Sequence, residues 1–177
     1  RVVHYILCND LDTLLWLANL AALEIHLPLA HIPTLDHPDF LFFDLDPEPP
    51  ASITQVCDVA LQLKELLTQF GLEAFVKTSG KKGLHILVPL HPNYTYQQTR
   101  TFVHQVGLHL AQSSDIIVAD RAQTKEPGTI LIDFPQNARG RTLICPYSLR
   151  GVRGGPVSTP LDWTELARIP PNPTVLT

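Results

Sequence analysis

At 177 residues, 45% of them hydrophobic, the chain can bury one full core, and its net charge of −4 excludes a global positive field that would draw in nucleic acid. Cys8, Cys57 and Cys145 lie far apart with no Cys-x-x-Cys, which excludes both a disulfide framework and a zinc knuckle. The apolar runs break before membrane-spanning length and the first residues show no secretory pattern, so a soluble, cytoplasmic protein with no membrane partner is expected.

In chain order, the pattern predicts a strand over residues 2–7, then Asn9 or Asp10 as the cap of an apolar helix running to about His26. An apolar strand follows, Phe40-Leu-Phe-Phe-Asp-Leu-Asp-Pro47, which ends by placing Asp44 and Asp46 on one sheet face. Taken alone, Asp46-Pro47 reads at least as well as the start of a turn. Ser52-Ile-Thr-Gln55 is a capping box, and Ile53, Val56, Ala60, Leu63, Leu67 and Phe70 recur at helical spacing until Gly71. Residues 73–79 and 84–90 read as a hairpin around Gly80-Lys-Lys-Gly83. A second capping box, Thr95-Tyr-Gln-Gln98, opens a helix that turns Phe102, Val106 and Leu110 inward. Strands are predicted over residues 129–134 and 142–147, and the proline-rich residues 169–177 read as an extended tail closing a single domain over 1–177.

From the Asp-x-Asp strand onward this order is β-α-β-β-α-β, so the expected class is α+β with a ferredoxin-like or RRM-like core, an extra N-terminal helix and extra C-terminal strands. Right-handed crossovers make the first and third strands central neighbours and leave one face open. Asp44, Asp46, Asp133 and His85 then converge on adjacent strands. Three carboxylates suit one or two divalent ions, Mg²⁺ or Mn²⁺, and with them nucleotidyl transfer. The loop Ser79-Gly-Lys-Lys-Gly-Leu-His85 supplies glycines, lysine charge, a hydroxyl and an imidazole suited to triphosphate oxygens, although that segment also reads as an ordinary solvated hairpin tip. Arg139, Arg141, Arg150 and Arg153 form the one local basic segment, and Lys77, Lys81 and Lys82 complete the cationic contacts offered to a phosphate backbone. His26, at a helix end, reads as a capping histidine.

Five segments carry a resemblance. Trp16-Leu-Ala-Asn-Leu-Ala-Ala-Leu-Glu-Ile-His26, Phe43-Asp-Leu-Asp-Pro47, Lys77-Thr-Ser-Gly-Lys-Lys-Gly-Leu-His85, Ile132-Asp-Phe-Pro-Gln-Asn-Ala-Arg139 and Pro146-Tyr-Ser-Leu-Arg-Gly151 together resemble the polymerase domain of bacterial ligase D, in the archaeo-eukaryotic primase superfamily. The resemblance implies addition of nucleotides, NTP or dNTP with ribonucleotides preferred and Mn²⁺ favoured, at DNA ends during non-homologous end joining. It implies a ligase module and the end-binding Ku protein as partners. It assigns Asp44, Asp46 and Asp133 to catalysis as metal ligands, Ser79, Lys82, His85 and Arg150 to nucleotide phosphates, and His26 to the same pocket. Gln136 stands where some members carry Arg, leaving a neutral hydrogen bond in place of a charged one. A first residue of Arg1 and the absence of Met are signs that the natural start lies upstream, where the family holds its base-stacking and 5′-phosphate contacts. Two rivals share parts of this pattern. A non-catalytic RRM-like binder needs aromatics on its central strands, and another two-metal nucleotide enzyme, such as a cyclase, needs the carboxylates but no DNA.

Overall fold

The computed structural model describes residues 4–91, 93–120 and 126–168. The elements in order are α1 (Leu11–Asn19), β1 (His26–Pro28), β2 (Phe40–Pro47), α2 (Ile53–Gln69), β3 (Phe75–Thr78), β4 (Leu84–Pro89), α3 (Tyr96–Ala111), β5 (Ile117–Val118), β6 (Ile130–Ile132), β7 (Thr142–Ile144), β8 (Pro160–Leu161) and α4 (Trp163–Leu166). The expected α+β core is present. β6-β2-β4-β3 is the central antiparallel sheet, with β5 added parallel to β6 at one edge and β8 added beside β3 at the other.

Alternation along β2 decides the layers. Leu41, Phe43 and Leu45 are buried among Val56, Ala60, Leu63 and Leu67 of α2 and Val103, Val106 and Leu110 of α3, together with Leu84, Ile86 and Val88 of β4. Both helices start where the sequence says. Ser52 and Gln55 exchange side-chain-to-backbone bonds of 3.3 and 2.8 Å, and Thr95 and Gln98 do the same at 3.3 and 2.8 Å. Phe70 departs from the inward stripe: it caps α2, is exposed, and meets the edge of Phe102.

The N-terminal expectations are corrected. Residues 4–9 form no strand, since no segment among the described residues supplies a ladder for them, and residues 2–3 of the predicted strand lie outside the described residues. The helix ends at Asn19 rather than near His26, because Ala21 takes a positive φ of 56°. The chain beyond it is claimed by pairing distant in sequence: Cys145 donates its N–H to the Ile25 carbonyl at 2.8 Å, and His26 faces Ile144 in a two-stranded ribbon of β1 with β7. His26 is therefore a strand residue and caps no helix. The predicted strand over 142–147 shortens to three residues, since Tyr147 also has a positive φ, 65°. The proposed tail, 169–177, lies outside the described residues.

Candidate active site

The even-numbered residues of β2 look away from the helices. At one end of this open face Phe40 and Phe42 are covered by Leu29 and Leu143 of the ribbon region. At the other end the face is polar. Register places Asp44 opposite His85, His85 opposite Lys77, and the Asp44 carbonyl accepts the Asp133 N–H at 3.0 Å. Lys77, His85, Asp44 and Asp133 thus form one row across four neighbouring strands, with Asp46 two residues further along β2.

Each member of the row has a defined contact. His85 is buried, lies 3.4 Å from Asp44 Oδ1 through Nε2, and has its buried Nδ1 without a protein hydrogen-bond partner. Burial pushes its pKa below the usual histidine range, against the opposing effect of Asp44. Asp46 lies 3.2 Å from Lys82 Nζ, which also donates to the Pro47 carbonyl at 2.8 Å. Burial raises the Asp46 pKa, with the charges of Asp44 and Asp133 adding in the same direction and Lys82 opposing them. Asp133 follows β6 directly and accepts from Gln136 Nε2 at 3.0 Å, so the predicted strand over 129–134 ends at Ile132 without moving this carboxylate off the row.

The hairpin tip is a constructed turn. Ser79 Oγ accepts from Lys81 N–H at 3.2 Å and Gly83 N–H at 3.1 Å, while Ser79 N–H donates to the Gly83 carbonyl at 2.9 Å. A side chain at Gly83 would strike the Leu45 carbonyl on β2, so only glycine lets the loop lie against the Asp-x-Asp strand. Arg150 packs its stem against Gly80, keeps a side chain 11% exposed, and has a buried Nε without a protein partner. His26 joins the same corner through Glu24, at 3.3 Å.

The structure therefore brings together Asp44, Asp46, Asp133, Ser79, Lys82, His85, Gln136, Arg150 and His26 in two touching groups, the row with its hairpin and the Arg150 corner. The rest of the basic segment stays apart: Arg139 pairs with Asp36 at 2.6 Å on an exposed surface, and Arg141 and Arg153 are exposed. Lys77 is corrected outright. It is 2% exposed, gives its ammonium to Ser158 Oγ at 2.6 Å, and cannot meet a DNA backbone at the surface.

Hard carboxylate oxygens on one face, with burial and two like charges raising the Asp46 pKa against the pull of Lys82, are a donor set that fits Mg²⁺ or Mn²⁺. The three carboxylates do not close into a ligand cage: among the described residues no three His, Cys, Asp or Glu side chains are gathered closely enough to hold a metal. Instead Asp44, Asp46 and Asp133 are engaged by His85, Lys82 and Gln136 respectively.

Two residues that sequence reasoning passed over, Asn137 and Glu24, shape this site. Asn137 is completely buried and pairs with both the N–H and the carbonyl of Phe42, at 2.9 and 2.7 Å. It acts as a piece of strand where β6 has ended, because an amide side chain carries the peptide's own donor and acceptor. Lys77, which the sequence did point to, shares the open face with His85, and its charge hid its burial there. Glu24 lies within the Trp16–His26 segment, but only the pairing of β1 with β7 reveals its neighbours.

The sequence profile of the family described as LigD, primase-polymerase domain, matches residues 1–176. The bifunctional non-homologous end joining protein LigD of Bacillus subtilis (strain 168) is 36% identical over 165 residues, covering 92% of this chain and 27% of that protein. The multifunctional LigD of Mycolicibacterium smegmatis is 33% identical, covering 92% of this chain and 22% of its own. Among solved structures, the polymerase domain from Mycobacterium tuberculosis ligase D in complex with DNA aligns with a TM-score of 0.79 and 32% identity, over 86% of this chain and 56% of that one. The chain thus spans roughly a quarter of the curated relatives it matches, 27% and 22% of their lengths.

Proposed function

The chain belongs to the LigD primase-polymerase family, and on this basis we propose that it is the catalytic part of a metal-dependent nucleotidyltransferase. It extends DNA ends in bacterial non-homologous end joining, uses NTP or dNTP with ribonucleotides preferred, and favours Mn²⁺. The observation that carries this reading is the row of Asp44 and Asp133 on adjacent hydrogen-bonded strands, with Asp46 beside them and His85 and Lys82 on the hairpin side. The relatives' names support the end-joining role, and the proposal extends to a cytoplasmic location and to a ligase module and the Ku end-binding protein as partners. Among the described residues no helix is long and apolar enough to cross a membrane.

Asp44, Asp46 and Asp133 would hold the ions. When bound, these lower the pKa of the attacking 3′-hydroxyl and neutralise the leaving pyrophosphate. The chain's own residues do the positioning. Lys82 is held by a half-exposed ion pair with Asp46, of the kind worth little energy, and by one hydrogen bond to the Pro47 carbonyl, contacts that a phosphate oxygen can replace. His85 keeps Asp44 oriented through Nε2 and offers Nδ1 to the triphosphate; an anion there favours the second proton that burial disfavours. Arg150 presents its unpartnered Nε, and Ser79 holds the loop so that backbone amides approach closely. Gln136 steadies Asp133.

The RRM-like alternative is disfavoured by the same face. Its aromatic residues, Phe40 and Phe42, lie under Leu29 and Leu143 and cannot stack on bases. The test is extension of a primed DNA end with Mn²⁺ by the full natural chain. Asp44→Ala should lose about three orders of magnitude of rate or more, by the scale of a lost charge-stabilising group in phosphoryl transfer. Products whose length ignores the DNA end would favour a cyclase-like enzyme, and an active Asp44→Ala protein would end the two-metal reading.

A further inference from the structure

Glu24 is an unexpected neighbour for a pocket that receives phosphates. Its Oε1 accepts the Gly151 N–H at 2.7 Å, and its Oε2 lies 3.3 Å from His26 Nε2 and 3.6 Å from Arg150 Nη1. A carboxylate beside two cation-capable groups weakens their pull on an anion unless it contributes something else. The geometry shows what that is.

Its backbone is mounted rigidly. The buried Ser148 hydroxyl accepts the Ile25 N–H at 2.8 Å and reaches the Leu23 carbonyl at 3.3 Å, so the peptides on both sides of Glu24 are held by one side chain from a segment more than a hundred residues away. The Arg150 stem is confined as well, since a Cβ at Gly80 would stand 2.6 Å from its Cγ. What remains free is the orientation of the guanidinium and of the His26 ring, and the Glu24 carboxylate touches both. The Gly151 amide, and after it His26, holds the Glu24 carboxyl below its usual range, so it is ionised at neutral pH.

We propose that Glu24 is a positioning residue whose carboxylate charge fixes Arg150 and His26 for the nucleotide's phosphates, beyond its tether to the Gly151 loop. This rests on the reading of that corner as the nucleotide pocket. Glu24→Gln discriminates the two roles: its amide oxygen can still accept the Gly151 N–H, but it carries no charge for Arg150. The full natural chain is assayed for Mn²⁺-dependent DNA-end extension over a range of nucleotide concentrations, with melting temperature measured alongside.

The expected result is a nucleotide KM raised about tenfold, the scale of one charge-assisted contact, with kcat changed less than about threefold and melting unchanged. In an Arg150→Gln background, Glu24→Gln should add little, because the two act as a unit. A KM within about twofold of the unsubstituted protein, full additivity with Arg150→Gln, or a loss of melting temperature matching the loss of activity would each overturn the proposal. No extension by the unsubstituted protein would overturn the pocket reading and this proposal with it, whereas normal extension with an unmoved Glu24→Gln KM overturns this proposal alone.

Discussion

The two faces of β2 differ by one residue step and by everything that follows from it. Leu41, Phe43 and Leu45 face α2 and α3 with 3% exposure or less, whereas Phe42, Asp44 and Asp46 face the other way, where apolar cover gives out toward the strand's end. The first face gains free energy from every side chain it buries. The second accepts a buried lysine, a neutral buried histidine and crowded carboxylates, each disfavoured by desolvation or like charge. Stability is made on one face, and the proposed chemistry would occupy the other at a cost.

The widest separation of the two is expected at adjacent positions. Phe43→Ala removes a fully buried ring and should cost about 3–5 kcal/mol, lowering the melting temperature by roughly 6–20 °C. Thermal unfolding checks it, and a drop of only a degree or two would mean that the helix face is not where stability resides. Asn137→Ala tests the seam between the faces. It leaves the Phe42 N–H and carbonyl buried without their partners, for a loss of about 2–3 kcal/mol in denaturant titration.

Much of this division was legible in the sequence, for reasons that can be named. Two capping boxes and a helical apolar period announced α2 and α3, and the Asp-x-Asp ending fixed which step of β2 is polar. The split βαβ order then placed His85 and Asp133 correctly. What escaped was built from long-range pairing. β1, β5 and β8 are each two or three residues long and exist only because a partner elsewhere in the chain supplies their ladder. The apolar run after Asn19 looked helical until Ser148 and Cys145 claimed its backbone. Lys77 was read as a surface cation because a lysine gives no periodic sign of burial. The Glu24 corner was invisible for the same reason as the ribbon that carries it.

Lys77 sharpens the comparison with a smaller effect. Burial pushes its pKa down to about 8, from 10.5, with the nearby Asp44 charge opposing the shift. The folded-state value is depressed, so the stability this group allows is fully present above pH 10.5 and is lost as pH falls through about 8. The protein should therefore gain stability between pH 8 and 10.5 from this residue, a gain absent in Lys77→Met. At pH 7 the substitution should leave the melting temperature unchanged or raise it by up to about 4 °C, since an apolar chain of similar length escapes the desolvation cost. A large fall would show that the Ser158 bond outweighs that cost.

The most direct measurement of the division is the melting temperature with and without Mn²⁺ for the unsubstituted protein and Asp46→Asn. Burial and the charges of Asp44 and Asp133 raise the Asp46 pKa, so its stabilising contribution is fully present below 3.8 and is lost as pH rises through the raised folded-state value. At neutral pH its charge is a cost, and Asp46→Asn without metal should melt at the same temperature or slightly higher. With Mn²⁺ at about a hundred times its dissociation constant, the unsubstituted protein should gain about 2.7 kcal/mol, or roughly 5–10 °C. Asp46→Asn should gain almost nothing. An equal Mn²⁺ response in both proteins, or a metal-free Asp46→Asn that melts several degrees lower, would contradict the account.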